Sequence, residues 1–72
     1  MDIHNLIKMA NNIGAFFKSE PDREVAIQGV EQHIRGSWEP RMRKRIIEYV
    51  QQGGDELMDI VAEAVRHIAK QQ

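Results

Sequence analysis

Apolar residues recur at helical spacing along the whole chain, and no segment alternates apolar and polar with period two. The pattern predicts an all-α fold: a compact bundle of four short helices joined by short turns, without strands. The first helix is expected from Ile3 to Lys18, with Asp2 as its N-cap. At about 100° per residue, Ile3, Leu6, Ile7, Met9, Ala10, Ile13, Phe16 and Phe17 share one half of the cylinder. His4, Asn5, Lys8, Asn11 and Asn12 take the other half. Gly14 falls within the apolar face, where it costs about 1 kcal/mol relative to alanine and implies a close backbone approach.

Ser19-Glu20-Pro21-Asp22 reads as a turn into a second helix that carries Val25, Ala26, Ile27, Val30 and Ile34 inward and stops at Gly36. Gly29 lies on its buried side, so glycines on consecutive helices suggest a tight crossing between the two. His33 also falls on this side and is expected to pack, with a ring nitrogen hydrogen-bonded near Trp38. Pro40 can open a third helix, since the amide it lacks has no intrahelical partner at that position. This helix runs to Gln52, buries Met42, Ile46, Tyr49 and Val50, and ends at Gly53-Gly54.

A fourth helix is expected from Asp55 to Gln71. Asp55, Glu56 and Asp59 lie near its positive end and Arg66, His67 and Lys70 near its negative end. Leu57, Val61, Ala64 and Ile68 form one apolar stripe, and Met58, Ala62, Val65 and Ala69 a second beside it. Together they span about 200° of the wheel, against roughly 100° for an ordinary surface helix. Either two neighbouring helices cover both stripes, or the stripe of Met58, Ala62, Val65 and Ala69 docks another chain.

At 72 residues the chain makes one domain, 1–72, near the size where a single core supplies only a few kcal/mol. It has no cysteine, so neither a disulfide nor a thiolate-bound metal can brace it. No signal peptide or membrane span is recognisable, and the chain is expected to be soluble and intracellular. The net charge of −1 argues against a general nucleic-acid binder, but a basic excess gathers between Arg35 and Arg45.

Enzymatic constellations are missing from the pattern. Ser19 and Ser37 lack a glycine-framed nucleophile motif, and His4, His33 and His67 lack local metal-ligand spacing. His4 and His67 are expected to face solvent. Binding chemistry is better represented. Arg41, Lys44 and Arg45 point outward together beside Glu48, while Arg43 lies at the edge of the apolar face. An arginine there must snorkel past the core or meet a carboxylate or phosphate. Trp38 is expected half-buried, with one face left for a partner. Tryptophan and arginine are enriched among energetic anchors of interfaces. Trp38, Arg35, Arg41, Met42, Arg43 and His33 are therefore the candidate partner-binding residues; catalytic, cofactor-binding and metal residues are not expected in this chain.

The run Asp2-Ile3-His4-x-Leu6-Ile7-x-Met9-Ala10-Asn11-x-Ile13-Gly14-x-Phe16-Phe17, followed by Pro21-Asp22, His33-Ile34, Trp38 and Pro40-Arg41-Met42-Arg43, resembles the delta subunit of NAD-dependent formate dehydrogenase. The resemblance covers residues 2 to 50 and is looser past Gly53-Gly54, where Leu57, Val61 and Ala64 still fit. Ser37 departs from it, standing where a bulkier, often aromatic residue is expected.

The resemblance implies a small accessory protein of cytoplasmic molybdenum-containing formate dehydrogenases. Oxidation of formate with reduction of NAD is then the work of larger subunits, which carry bis-molybdopterin guanine dinucleotide, iron–sulfur clusters and FMN. The delta subunit is implied to associate chiefly with the catalytic subunit and to support assembly, cofactor retention or activity. A subsidiary possibility is contact of the arginines with cofactor phosphates during insertion. From the residues alone, two readings of other classes stay open. One is a helical nucleic-acid-binding module using the basic third helix; the other is a self-associating dimer through the second stripe of the fourth.

Overall fold

The computed structural model describes residues 2–71. Its four helices are α1 (Ile3–Phe17), α2 (Arg23–Ser37), α3 (Pro40–Gln51) and α4 (Asp59–Lys70), an all-α bundle joined by turns. Local chemistry sets most of the ends. An Asp2 carboxylate oxygen accepts the His4 N–H at 2.9 Å, and an Asp22 oxygen accepts the Glu24 N–H at 3.0 Å. Each satisfies a donor that the first turn of a helix leaves free.

Helix α2 does not stop at Gly36 but runs through it to Ser37, with Trp38 as the capping residue. Pro40 is the cause: it disfavours helical geometry at the residue before it, and Glu39 is extended at φ −69°, ψ 155°. At the far end of α3, the Gly53 N–H donates to the Val50 carbonyl (3.0 Å) and the Gly54 N–H to that of Tyr49 (3.1 Å). This Schellman closure needs positive φ, and both glycines supply it, at 125° and 65°.

The start of α4 differs from the sequence expectation by four residues: it begins at Asp59, and residues 55–58 form a turn. Asn11 of α1 holds them there. Its side-chain oxygen accepts the Met58 N–H at 3.0 Å, and its amide donates to the Glu56 carbonyl at 2.8 Å. A residue on the nominally polar half of α1 thus caps a helix distant in sequence. Of the three acidic residues expected at the positive end of α4, only Asp59 lies in its first turn. Asp55 and Glu56 sit instead beside Tyr49, whose pKa is raised above 10.0 by loss of hydration and then by the Glu56 and Asp55 carboxylates. Asn11→Ala should cost about 1–2 kcal/mol, since it removes both bonds and leaves α4 uncapped. Thermal unfolding followed by circular dichroism checks this; an unchanged midpoint would mean that water replaces the side chain without loss.

Helix α4 packs against each of the other three helices. Val61, Ala64 and Ile68 are buried, and so are Ala62 and Val65; Met58 and Ala69 are partly buried against the same core. Both stripes are thus covered within the chain. The set Met58, Ala62, Val65 and Ala69, considered above as an interface, is largely interior.

The two interior glycines do not share a crossing. Gly14 faces α4, where a Cβ would lie 2.5 Å from Val61 Cγ2 and 2.9 Å from Met58 Sδ. Gly29 instead receives the ring of Phe17. Phe16, one residue away and so about 100° around the helix, points outward and is 77% exposed, its ring edge-on to Phe17 at 5.0 Å. Met9 and Val25 are exposed as well, against the inward positions expected of them. The apolar arc of α1 is wider than its neighbours can cover.

Candidate docking surface

The corner between α2 and α3 is built around Trp38, which is 5% exposed and belongs to the core with Ile34, Ile46 and Ile68. The half-buried ring expected from sequence is corrected here: a flat aromatic at a helix end can turn its whole face under the next helix. The backbone N–H of Trp38 donates to the Ile34 carbonyl at 2.9 Å, and the Trp38 carbonyl accepts a hydrogen bond from Arg43 Nη1. Arg43 is partly buried and ties the first turn of α3 to the cap of α2. Met42 is likewise partly buried against the core. His33 is exposed, not packed; its carbonyl accepts the Ser37 hydroxyl at 2.7 Å. Its helical direction lies at the edge of the arc of α2 that Ala26, Ile27, Val30 and Ile34 bury.

Sequence reasoning missed an ionic network across α2 and α4. Glu31 accepts from Arg35 Nη2 at 2.9 Å and lies 3.3 Å from His67 Nδ1. Glu63 lies 3.7 Å from His67 Nε2 and 3.1 Å from Arg66 Nη1. His67, expected to face solvent, is partly buried between these two carboxylates. The intrahelical spacings of Glu31 with Arg35 and of Glu63 with His67 were a readable signal for half of it. The bridge between helices had none.

Every ion pair among the described residues involves Glu31 or Glu63. Arg41, Lys44 and Arg45 therefore have no carboxylate partner. They adjoin one another on the outer face of α3 together with Glu48, which stands near without pairing. Among the described residues Lys8, Lys18, Arg23 and Lys70 also lack a carboxylate partner, but they are scattered. Only α3 gathers three free cations within two turns. Arg35 and Arg43 face elsewhere, lining with Ile68 and Gln71 a cleft of about 310 Å³ where α2, α3 and α4 meet. The candidate partner-binding residues thus divide into an open ridge, a cleft, and a buried support of Trp38 and Met42.

Among the described residues there is no group of three or more His, Asp or Glu side chains placed to hold a metal ion. None of the helices there is long and apolar enough to cross a membrane. No curated protein and no solved structure matches the chain. The family described as "NADH-dependant formate dehydrogenase delta subunit FdsD" matches residues 5–65, from the first turn of α1 into α4 and across the loop where the resemblance in sequence is loose; the chain belongs to this family.

Proposed function

We propose that the chain is a non-catalytic accessory subunit or assembly factor of a cytoplasmic, NAD-dependent molybdenum formate dehydrogenase. It docks on the catalytic subunit and supports assembly, cofactor retention or activity. The redox chemistry, with bis-molybdopterin guanine dinucleotide, iron–sulfur clusters and FMN, belongs to the larger subunits. Family membership supports the role. The observation that carries the docking mode is the cluster of unpaired cations Arg41, Lys44 and Arg45 on the outer face of α3.

Like charges on one helical turn repel, at a cost of a few tenths of a kcal/mol per pair. An acidic surface on the partner relieves that repulsion, steers encounter and fixes orientation. The ridge is polar throughout and contributes more to association rate than to residence time. The buried Trp38 and Met42 hold α3 at the angle from which the ridge projects.

The test is kinetic, with purified catalytic subunit and the whole chain on a binding biosensor at low and physiological salt. For the parent, the association rate should fall as salt rises. The variant R41E/K44E/R45E should bind at least tenfold more weakly, mainly through slower association, with its thermal midpoint kept. Equal affinity for parent and variant would remove α3 from the interface. Failure of the parent to bind any formate dehydrogenase subunit would overturn the accessory role itself.

A further inference from the structure

We propose that the cleft between Arg35 and Arg43 is a socket for one aspartate or glutamate carboxylate of the partner surface, a site separate from the α3 ridge. The proposal rests on the docking reading above and names the anchor that the ridge does not supply.

The chemistry of the cleft selects the ligand. A guanidinium carries five N–H donors in a planar fork. Arg43 spends one on the Trp38 carbonyl, and Arg35 is engaged with Glu31 at 2.9 Å. Both retain donors for a further acceptor. Arg43 is held by that carbonyl bond, so its fork is oriented before a partner arrives, and little rotamer freedom is lost on binding. Ile68, nearly fully buried, gives the cleft an apolar side, and Gln71 offers a neutral amide.

Charge sets the limit on the guest. Of the two guanidinium groups, that of Arg35 is paired with Glu31 and that of Arg43 meets no carboxylate among the described residues, which leaves one positive charge open at the cleft. The last turn of α2 and the last turn of α4 both border it, and helix C-termini disfavour negative charge. A monoanion neutralises the site; a phosphate dianion would be driven against Glu31 and those carbonyl ends. A volume of about 310 Å³ admits a short side chain and its stem. An Asp or Glu of the acidic surface that meets α3 satisfies each of these conditions.

The experiment uses the whole chain and purified catalytic subunit, with dissociation followed separately from association. Arg35→Gln and Arg43→Lys each leave a donor for the existing bond while removing either the charge or the planar fork. Together they should speed dissociation about tenfold with association within about twofold, the reverse of the ridge variant. A double-mutant cycle between Arg35→Gln and Asp→Asn or Glu→Gln changes on the catalytic subunit should locate one coupled carboxylate. Inorganic phosphate, added as competitor, should displace nothing beyond its effect as salt. Parental dissociation from a folded R35Q/R43K variant overturns the socket while leaving the ridge standing, as does coupling to no carboxylate. Specific displacement by phosphate overturns the choice of guest, and no binding by the parent overturns socket and docking reading together.

Discussion

Trp38→Ala unfolds this protein instead of merely weakening its contacts with a partner. The ring is part of the core, and the backbone at this position both closes α2 and receives the Arg43 bond that sets the angle of α3. Truncating a buried Trp costs about 3–5 kcal/mol through lost burial and the cavity left behind. The whole net stability of a domain this small, lacking disulfides, is of the same order. Circular dichroism of the variant should show lost helicity at room temperature, or a midpoint lowered by tens of degrees. A cooperative melt close to that of the parent would show that the corner can collapse around the gap. The consequence for interface mapping is direct: loss of partner binding in Trp38→Ala reports the fold, whereas Arg35, Arg41, Lys44 and Arg45 can be changed with the core left intact.

The second large effect falls on Gly14. A Leu there places its Cβ 2.5 Å from Cγ2 of Val61, which is fully buried. Met58 can swing its thioether aside, but a β-branched valine in a helix has one strongly preferred rotamer and no room to leave it. Overpacking of this kind typically costs 1–3 kcal/mol and occasionally more, and the remaining Leu carbons lengthen the clash. Exchange of glycine for a better helix former returns about 1 kcal/mol. A net loss of about 2 kcal/mol, from the upper end of that range, should lower the thermal midpoint by roughly 10 °C. A midpoint at the parental value would mean that α1 and α4 separate at little cost.

Much of the architecture was legible because its causes are local. Asp2, Asp22, Pro40 and the Gly53-Gly54 pair act within a turn of their own positions, and each marks a helix end to within one or two residues. The start of α4 was misread because its cap comes from Asn11, 47 residues before Met58. No window on the sequence shows that pairing. Asn11 looked like a solvated residue on a polar face, and Asp55 and Glu56 looked like a favourable first turn. Gly14 and Gly29 announced close approaches but not to which helix. The basic cluster was legible as composition. Helical spacing also showed Arg41, Lys44 and Arg45 pointing outward apart from Arg43; the cleft that Arg43 shares with Arg35 was not legible, since it depends on how α2, α3 and α4 meet.

Helix α4 is the fourth of four in chain order, and all three others pack against it. Translation delivers residues at roughly 5–20 per second, whereas short helices form within microseconds. Until α4 has been made, α1, α2 and α3 have nothing to cover the apolar sides that it packs against. The contacts of Val61, Val65 and Ile68 are thus the last part of the core to become available during synthesis. A stall before Asp59 leaves a nascent chain that chaperones and proteases can grasp.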